Sequence, residues 1–221
     1  YHREILRPHL TGSFTDLVKA ATVSWAMIHN LDNSQSIGPN SQRGRSKREQ
    51  GELATVNENH ARELMELHTV SPDAGYTQED VIDLSYIMAG WEHEWTELRE
   101  ECNPVRFNQK SHEPGTHTVL GKSYKQRGLA SSNKLMDAIE DLCAHPQCRQ
   151  FIATKLCRHF ICDDPTEAMT APIVAAWEQT DGHLPAIHRA LLQVAWDHTG
   201  IERKFHNPEV WFLQMVKMGG V

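Results

Sequence analysis

Apolar residues recur along this chain at intervals of three and four, and each such stretch follows a residue able to cap a helix. Ser13 with Asp16 opens a helix expected to run to about Leu31, and Thr77 with Asp80 opens another, whose Val81, Leu84, Met88, Trp91 and Trp95 fall on one face. The cap matters because the first turn of a helix leaves backbone N–H groups without intrahelical partners. Asp164-Pro165-Thr166-Glu167 reads as a capping box with proline at the first helical position, and Asn207-Pro208 repeats the device before a last helix. Residues 57–70, 131–144, 146–162 and 184–198 supply further helices, the last with Leu184, Ile187, Leu191 and Val194 on one face. Pro172 should kink or split the segment between them. The pattern predicts an all-α fold of about eight helices in an irregular bundle.

Two stretches break the periodicity. Residues 33–56 are polar and glycine-containing, which predicts an exposed loop. Residues 96–130 are also irregular, and His112-Glu113-Pro114-Gly115 puts proline and glycine at the central positions of a type II turn, between Val105-Arg106-Phe107 and Thr118-Val119-Leu120. One small β-hairpin near residues 105–120 follows from that reading.

Length and charge narrow the picture. The chain has 221 residues, of which 39% are hydrophobic, enough to bury a core in a single helical domain spanning 1–221. No apolar run reaches the ~20 residues of a membrane span. The start at Tyr1, without methionine or a basic leader, reads as a cut, so the chain is expected to be a fragment of a longer protein. A net charge of −7 argues against a nucleic-acid surface. Arg43, Arg45, Lys47 and Arg48 form a basic run that reads as part of the solvated loop. The five cysteines, Cys102, Cys143, Cys148, Cys157 and Cys162, are odd in number and lack the Cys-x-x-Cys spacing of zinc sites.

The segments LDNSQSIGPNS (31–41), NENHARELMELHTV (57–70), GYTQEDV (75–81), AGW (89–91), HEPG with VLG (112–121) and FIATKLCRHFICDDP (151–165) resemble, in order, the bacterial domain of unknown function 1800 family. Two positions depart from its pattern: Ser71-Pro72 stands where the family continues with glycine, and His117 where a lysine is common. The family has no established activity, so the resemblance implies no reaction. It does imply a longer protein whose N-terminal part is a partner of this chain. It also implies export to the periplasm or outside the cell, and an exported sulfatase-like protein as neighbour.

On a helical wheel of residues 57–70, Ala61, Leu64, Met65 and Leu67 share a face, with His68 near its centre and so expected to be buried. Glu58, Arg62, Glu63 and Glu66 fall opposite, the first two and Arg62 with Glu66 at i,i+4 spacing. On residues 146–162 the apolar stripe is Phe151, Ile152, Leu156 and Phe160, and Lys155 and Arg158 lie away from it. Carboxylates withdrawn from water need a counter-charge, so Glu63 or Glu66 is expected to face Lys155 or Arg158. His112, Glu113 and His117, joined by His68, are candidates for a mixed nitrogen and oxygen site for zinc, iron or manganese. There is no His-Glu-x-x-His, P-loop or nucleophile-elbow motif. Two functions are consistent with this: a helical scaffold or interaction domain held by the Glu/Arg/Lys network, or a metal-assisted hydrolase or oxidoreductase sited between the 57–70 helix and the 112–117 turn.

Overall fold

The computed structural model of the chain describes residues 1–93, 104–126, 132–200 and 208–219; Trp95 and Cys102 lie outside them. Helices dominate. The first expected helix divides in two: α1 (Phe14–Thr22) ends at Val23, and Ser24, whose Oγ accepts from the Met27 N–H, caps α2 (Trp25–Asn30). A second serine cap thus restarts the helix where the apolar pattern alone runs on unbroken.

The stretch read as an exposed loop instead carries a helix, α3 (Gln42–Glu49), capped by Ser41, and Asn33, Ser36, Ile37, Gly38 and Gly44 within the stretch are buried. Its basic residues are engaged rather than free: Arg45 and Arg48 donate to the carbonyls of Asn40 and Pro39, Lys47 pairs with Glu52, and Arg43 pairs with Glu92. A polar helix held by its cap and by backbone carbonyls has no hydrophobic period to reveal it.

α4 (Asn59–Glu63) passes into a π-helical turn at Leu64–His68. The wider turn winds more slowly than an α-helix. The phase therefore slips, and His68 emerges exposed, as does Leu67, while His60 is the histidine that is fully buried. After Ser71, α5 (Gln78–Met88) starts on the Thr77/Asp80 capping box and ends at Ala89-Gly90, where Gly90 adopts φ +99°. Trp91 accordingly leaves the helical stripe and begins β1 (Trp91–His93), which pairs antiparallel with β2 (Val105–Phe107). The second ribbon joins β3 (Thr116–Val119) to β4 (Lys122–Lys125). Leu120 and Gly121 turn it with positive φ at both positions, as a tight two-residue reversal requires. His112–Gly115 is therefore a link between two ribbons, buried at His112 and Glu113 and exposed at Gly115, and not a hairpin turn.

The remaining helices are α6 (Asn133–Ala144), α7 (Pro146–Phe160), α8 (Glu167–Thr180), α9 (Leu184–Asp197) and α10 (Pro208–Met218). α8 starts after Thr166, whose side chain makes no cap bond, so the expected capping box is not formed and Pro165 stands just outside the helix; Pro172 is carried inside without a break. α7 turns Cys148, Ala153 and Cys157 inward, and Phe160 of the expected stripe is 60% exposed. α8 packs against both α7 and α9, and small side chains on the α7 face suit that contact. The core joins Leu84, Ile87 and Met88 of α5 to Leu135 and Ile139 of α6, Ile173 of α8 and Ile187 of α9. Each such aliphatic contributes roughly 1.5–3 kcal/mol by leaving water. Among the described residues no helix is long and apolar enough to cross a membrane.

Candidate functional site

The densest polar arrangement forms where residues 36–44 meet residues 108–118. Gly38 N–H donates to the Ser111 carbonyl at 2.9 Å and Arg43 N–H to the Lys110 carbonyl at 2.8 Å. Gly38 is required there, because a Cβ would stand 2.6 Å from Glu113 Cα. That approach delivers Asn40 to the Glu113 carboxylate: the Asn40 backbone N–H donates to Oε2 at 2.8 Å and the side-chain Nδ2 to Oε1 at 2.7 Å. Both carboxylate oxygens are thereby engaged, although Glu113 is only 4% exposed.

Behind Glu113 lies a second layer. Lys134, in the first turn of α6, is buried and donates to the Gly115 carbonyl at 3.1 Å. Burial pushes its pKa down, and the Glu113 and Asp83 carboxylates oppose that shift. His112 Nδ1 bonds the Ala89 carbonyl at 2.8 Å, and burial pushes its pKa down to about 4. His117 packs against Tyr86 with the rings tilted and their centroids 5.4 Å apart, and its Nδ1 lies 3.6 Å from Asp83. Burial again lowers its pKa first, and Lys134 adds to the effect while Asp83 opposes it. Both imidazoles are therefore neutral at pH 7, and each keeps a buried Nε2 without a hydrogen-bond partner. Asp83 also accepts from the Thr118 N–H at 2.6 Å and Asp80 from the Leu120 N–H at 2.8 Å, which fastens β3 to α5. Among the described residues no three His, Cys, Asp or Glu side chains are grouped so as to share a metal ion.

The other expected residues lie elsewhere. Glu58 and Arg62 pair at 3.2 Å on a half-exposed face and close a triangle with Gln78, which accepts from Arg62 at 2.8 Å and donates to Glu58 at 2.5 Å. Glu66 accepts from the Tyr76 hydroxyl at 3.4 Å. Glu63 raises, and Lys155 lowers, the pKa of His68, whose largest shift is downward from loss of water. Lys155 does reach from α7 to the π turn, but its Nζ donates to the Leu67 carbonyl at 2.7 Å. Arg158 stands exposed beside Ile152, Leu156 and Phe160 on a shallow apolar surface. His68 thus stands on the π turn beside Glu63 and Lys155, while His112, Glu113 and His117 gather around Lys134.

A family model described as a protein of unknown function (DUF1800) matches residues 1–220. The chain belongs to that family. Comparison with curated proteins and with solved structures gives no match. Within this DUF1800 member the motif segments have physical reasons to be what they are. Gly90 of the Ala-Gly-Trp segment would, with a Cβ, meet the Asn108 carbonyl at 2.8 Å. Asp80 of the GYTQEDV segment serves both the α5 cap and β3. The two departures are also informative. Ser71 sits at φ +61°, ψ 166°, a region close to glycine-only, which agrees with the glycine expected there from the resemblance. At His117, where the resemblance leads one to expect a lysine, a cation does stand close by, on Lys134. Asn40, Asp83 and Lys134 escaped the sequence reading. Lys134 had left a signal, since it shares a helical row with Ala138 and Leu142, where a lysine is out of place on an apolar face.

Proposed function

We propose that this chain is a helical scaffold or interaction domain of an exported bacterial protein, and that the Glu113 cluster is a structural clamp within it. The observation that carries this is the engagement of both Glu113 oxygens by Asn40 donors beside the buried Lys134 ammonium. A metal would compete with those donors for the carboxylate, and a neighbouring ammonium opposes a dication. The clamp joins segments far apart in sequence, which is what fixing a surface demands. Support for interaction comes from large apolar side chains left in solvent: Leu192 and Trp196 on α9, and Trp211, Phe212 and Leu213 on α10, a helix that buries none of its residues.

The alternative is a metal-assisted hydrolase or oxidoreductase, and it draws on the two neutral imidazoles, His112 and His117, whose Nε2 lone pairs lie in the same cluster. Untagged protein incubated with zinc, iron(II) or manganese(II), desalted and measured by elemental mass spectrometry separates the readings. The scaffold reading expects far less than one equivalent retained. One equivalent, lost in His112→Gln and His117→Gln, would overturn it in favour of the enzyme.

A further inference from the structure

Lys134 is the second residue of α6 and only 5% exposed. Its charge is disfavoured there in two ways. The side chain has left water, and it sits at the positive end of the α6 dipole, where Ser132 at the N-cap makes no side-chain bond. An ammonium carries three donors. Among the described residues this one makes a single hydrogen bond, to the Gly115 carbonyl at 3.1 Å, and no ion pair. Glu113 and Asp83 favour the charge from further off, without cancelling the effect of burial, and the neighbouring His112 and His117 are neutral.

The amine stands at an opening rather than in a sealed core. Gly115 is exposed, and its carbonyl also accepts from the Gln126 N–H at 3.3 Å. Gln126 and Lys134 both line a cavity of about 630 Å³ between β4 and α6, together with Lys122, Tyr124, Lys125 and Asp137. That volume suits a small molecule, for which sites run to roughly 300–1,000 Å³. Other polar groups of the lining are already engaged: Lys122 pairs with Asp141, and the Tyr124 hydroxyl donates to the same carboxylate at 2.8 Å. A desolvated amine short of acceptors, beside a cavity, is the arrangement that makes lysine a nucleophile toward a carbonyl carbon. We propose that Lys134 binds a small aldehyde from this cavity as a Schiff base. The neutral amine attacks the carbonyl carbon; a C–N double bond forms as the C–O bond breaks, and both amine hydrogens leave with that oxygen as water. Asp137, one turn further along α6 in the same lining, offers a carboxylate to carry protons between nitrogen and oxygen. The inference goes beyond the scaffold reading: the Asn40 bonds to Glu113 do not depend on it, and metal retention, which tests that reading, is not measured here.

The test is incubation of the folded full chain with limiting propionaldehyde at neutral pH, with cyanoborohydride to reduce the imine to a stable secondary amine, followed by peptide mass mapping over time. Lys134 is expected to be alkylated about tenfold faster than its exposed neighbours Lys122 and Lys125, because each unit by which an amine's pKa falls raises its neutral fraction tenfold. Its rate should also level off at a lower pH than theirs. In urea the three lysines should react alike. Lys134→Arg keeps the cation and cannot form an imine, so it should lose this adduct and leave those at Lys122 and Lys125 unchanged. The wild-type map decides the matter even if that variant fails to fold. No adduct at Lys134, labelling of Lys122 or Lys125 as fast as that of Lys134, or a preference for Lys134 that persists in urea would each overturn the site.

Discussion

The region around Glu113 and the region around α7 are held by opposite means. In the first, Asn40, Asp80, Asp83, Glu113 and Lys134 tie backbone segments from four parts of the chain through hydrogen bonds and charge, much of it out of water. In the second, α7, α8 and α9 close on an apolar core of Ala153, Cys157, Ile173 and Ile187, to which Gln150–Thr170 and Arg149–Glu178 add polar links between α7 and α8. A polar clamp specifies one register because each donor has one acceptor, and breaking one partner strands the others. An apolar interface tolerates exchange of similar volumes. The DUF1800 motif segments fall in both regions, so a matched segment is no guide to which kind of bonding it serves.

The sharpest way to break this contrast is Glu113→Ala. It leaves two Asn40 donors without their acceptor and takes from the buried Lys134 ammonium one of the two carboxylates that favour its charge, and should cost about 3–5 kcal/mol in urea unfolding, the range for an uncompensated buried charge. Glu113→Gln retains one acceptor oxygen and should cost less. A loss for Glu113→Ala below ~1 kcal/mol would mean that water replaces the carboxylate freely and that no clamp exists.

The next effect is acid sensitivity, and it tests whether burial of imidazole is paid for on both sides of the molecule. His112 is pushed down to about 4 and His60, fully buried with neither ring nitrogen partnered, to about 3, both by burial first. The unfolded chain binds these protons near pH 6.5 and the folded chain does not. Their contribution is therefore complete above pH 6.5 and is lost as pH falls toward about 4. Each should add a slope of about 1.4 kcal/mol per pH unit in that window. His60→Phe should remove one such slope without loss of stability at pH 7. An unaltered pH profile in that variant would show that His60 is hydrated.

Ser71→Gly should give a smaller, opposite change. Its φ of +61° with ψ of 166° is strained for a residue with a Cβ, and in return the hydroxyl makes two long bonds to Asp73, accepting from its N–H at 3.3 Å and donating to its Oδ2 at 3.5 Å. Relief of strain worth about 1–3 kcal/mol, less the lost bonds, should leave a net gain of roughly 1 kcal/mol. A loss of stability in thermal unfolding would place the strain elsewhere.

How far these features were legible beforehand differs between the two regions for a physical reason. The helices of the second region announce themselves, because burial of an amphipathic face imposes a 3.6-residue period on the sequence. The clamp does not, because its partners are brought together by topology: Asn40 and Glu113 are 73 positions apart, and no local period connects them. The chemistry at His112, Glu113 and His117 was visible as residue types, whereas Asn40, Asp83 and Lys134, which decide what those residues do, were not. The polar helix α3 lacked a period for the same reason. His68 leaves the buried face because a π turn changes the angular step, and nothing in the residue order of Leu64–His68 marks it.

The smallest expected effect bears on the surface network of Glu58, Arg62 and Gln78 between the 57–70 segment and α5. Glu58 and Arg62 are paired at 3.2 Å, but their side chains remain 36% and 38% exposed. Solvent at that exposure screens the charges, and holding two long side chains in place costs entropy, so the pair should contribute less than about 1 kcal/mol. Gln78 adds hydrogen bonds to both, which makes the triangle slightly more than a pair. A double-mutant cycle on Glu58→Ala and Arg62→Ala in the wild-type background should therefore give about 0.5 kcal/mol, and the same cycle in Gln78→Ala rather less. The coupling should weaken further in 1 M salt, where the screening length falls to about 3 Å. A salt-independent coupling of several kcal/mol would instead mean that this face is covered in the assembled protein, and that the division between a polar clamp inside and a solvated network outside is drawn in the wrong place.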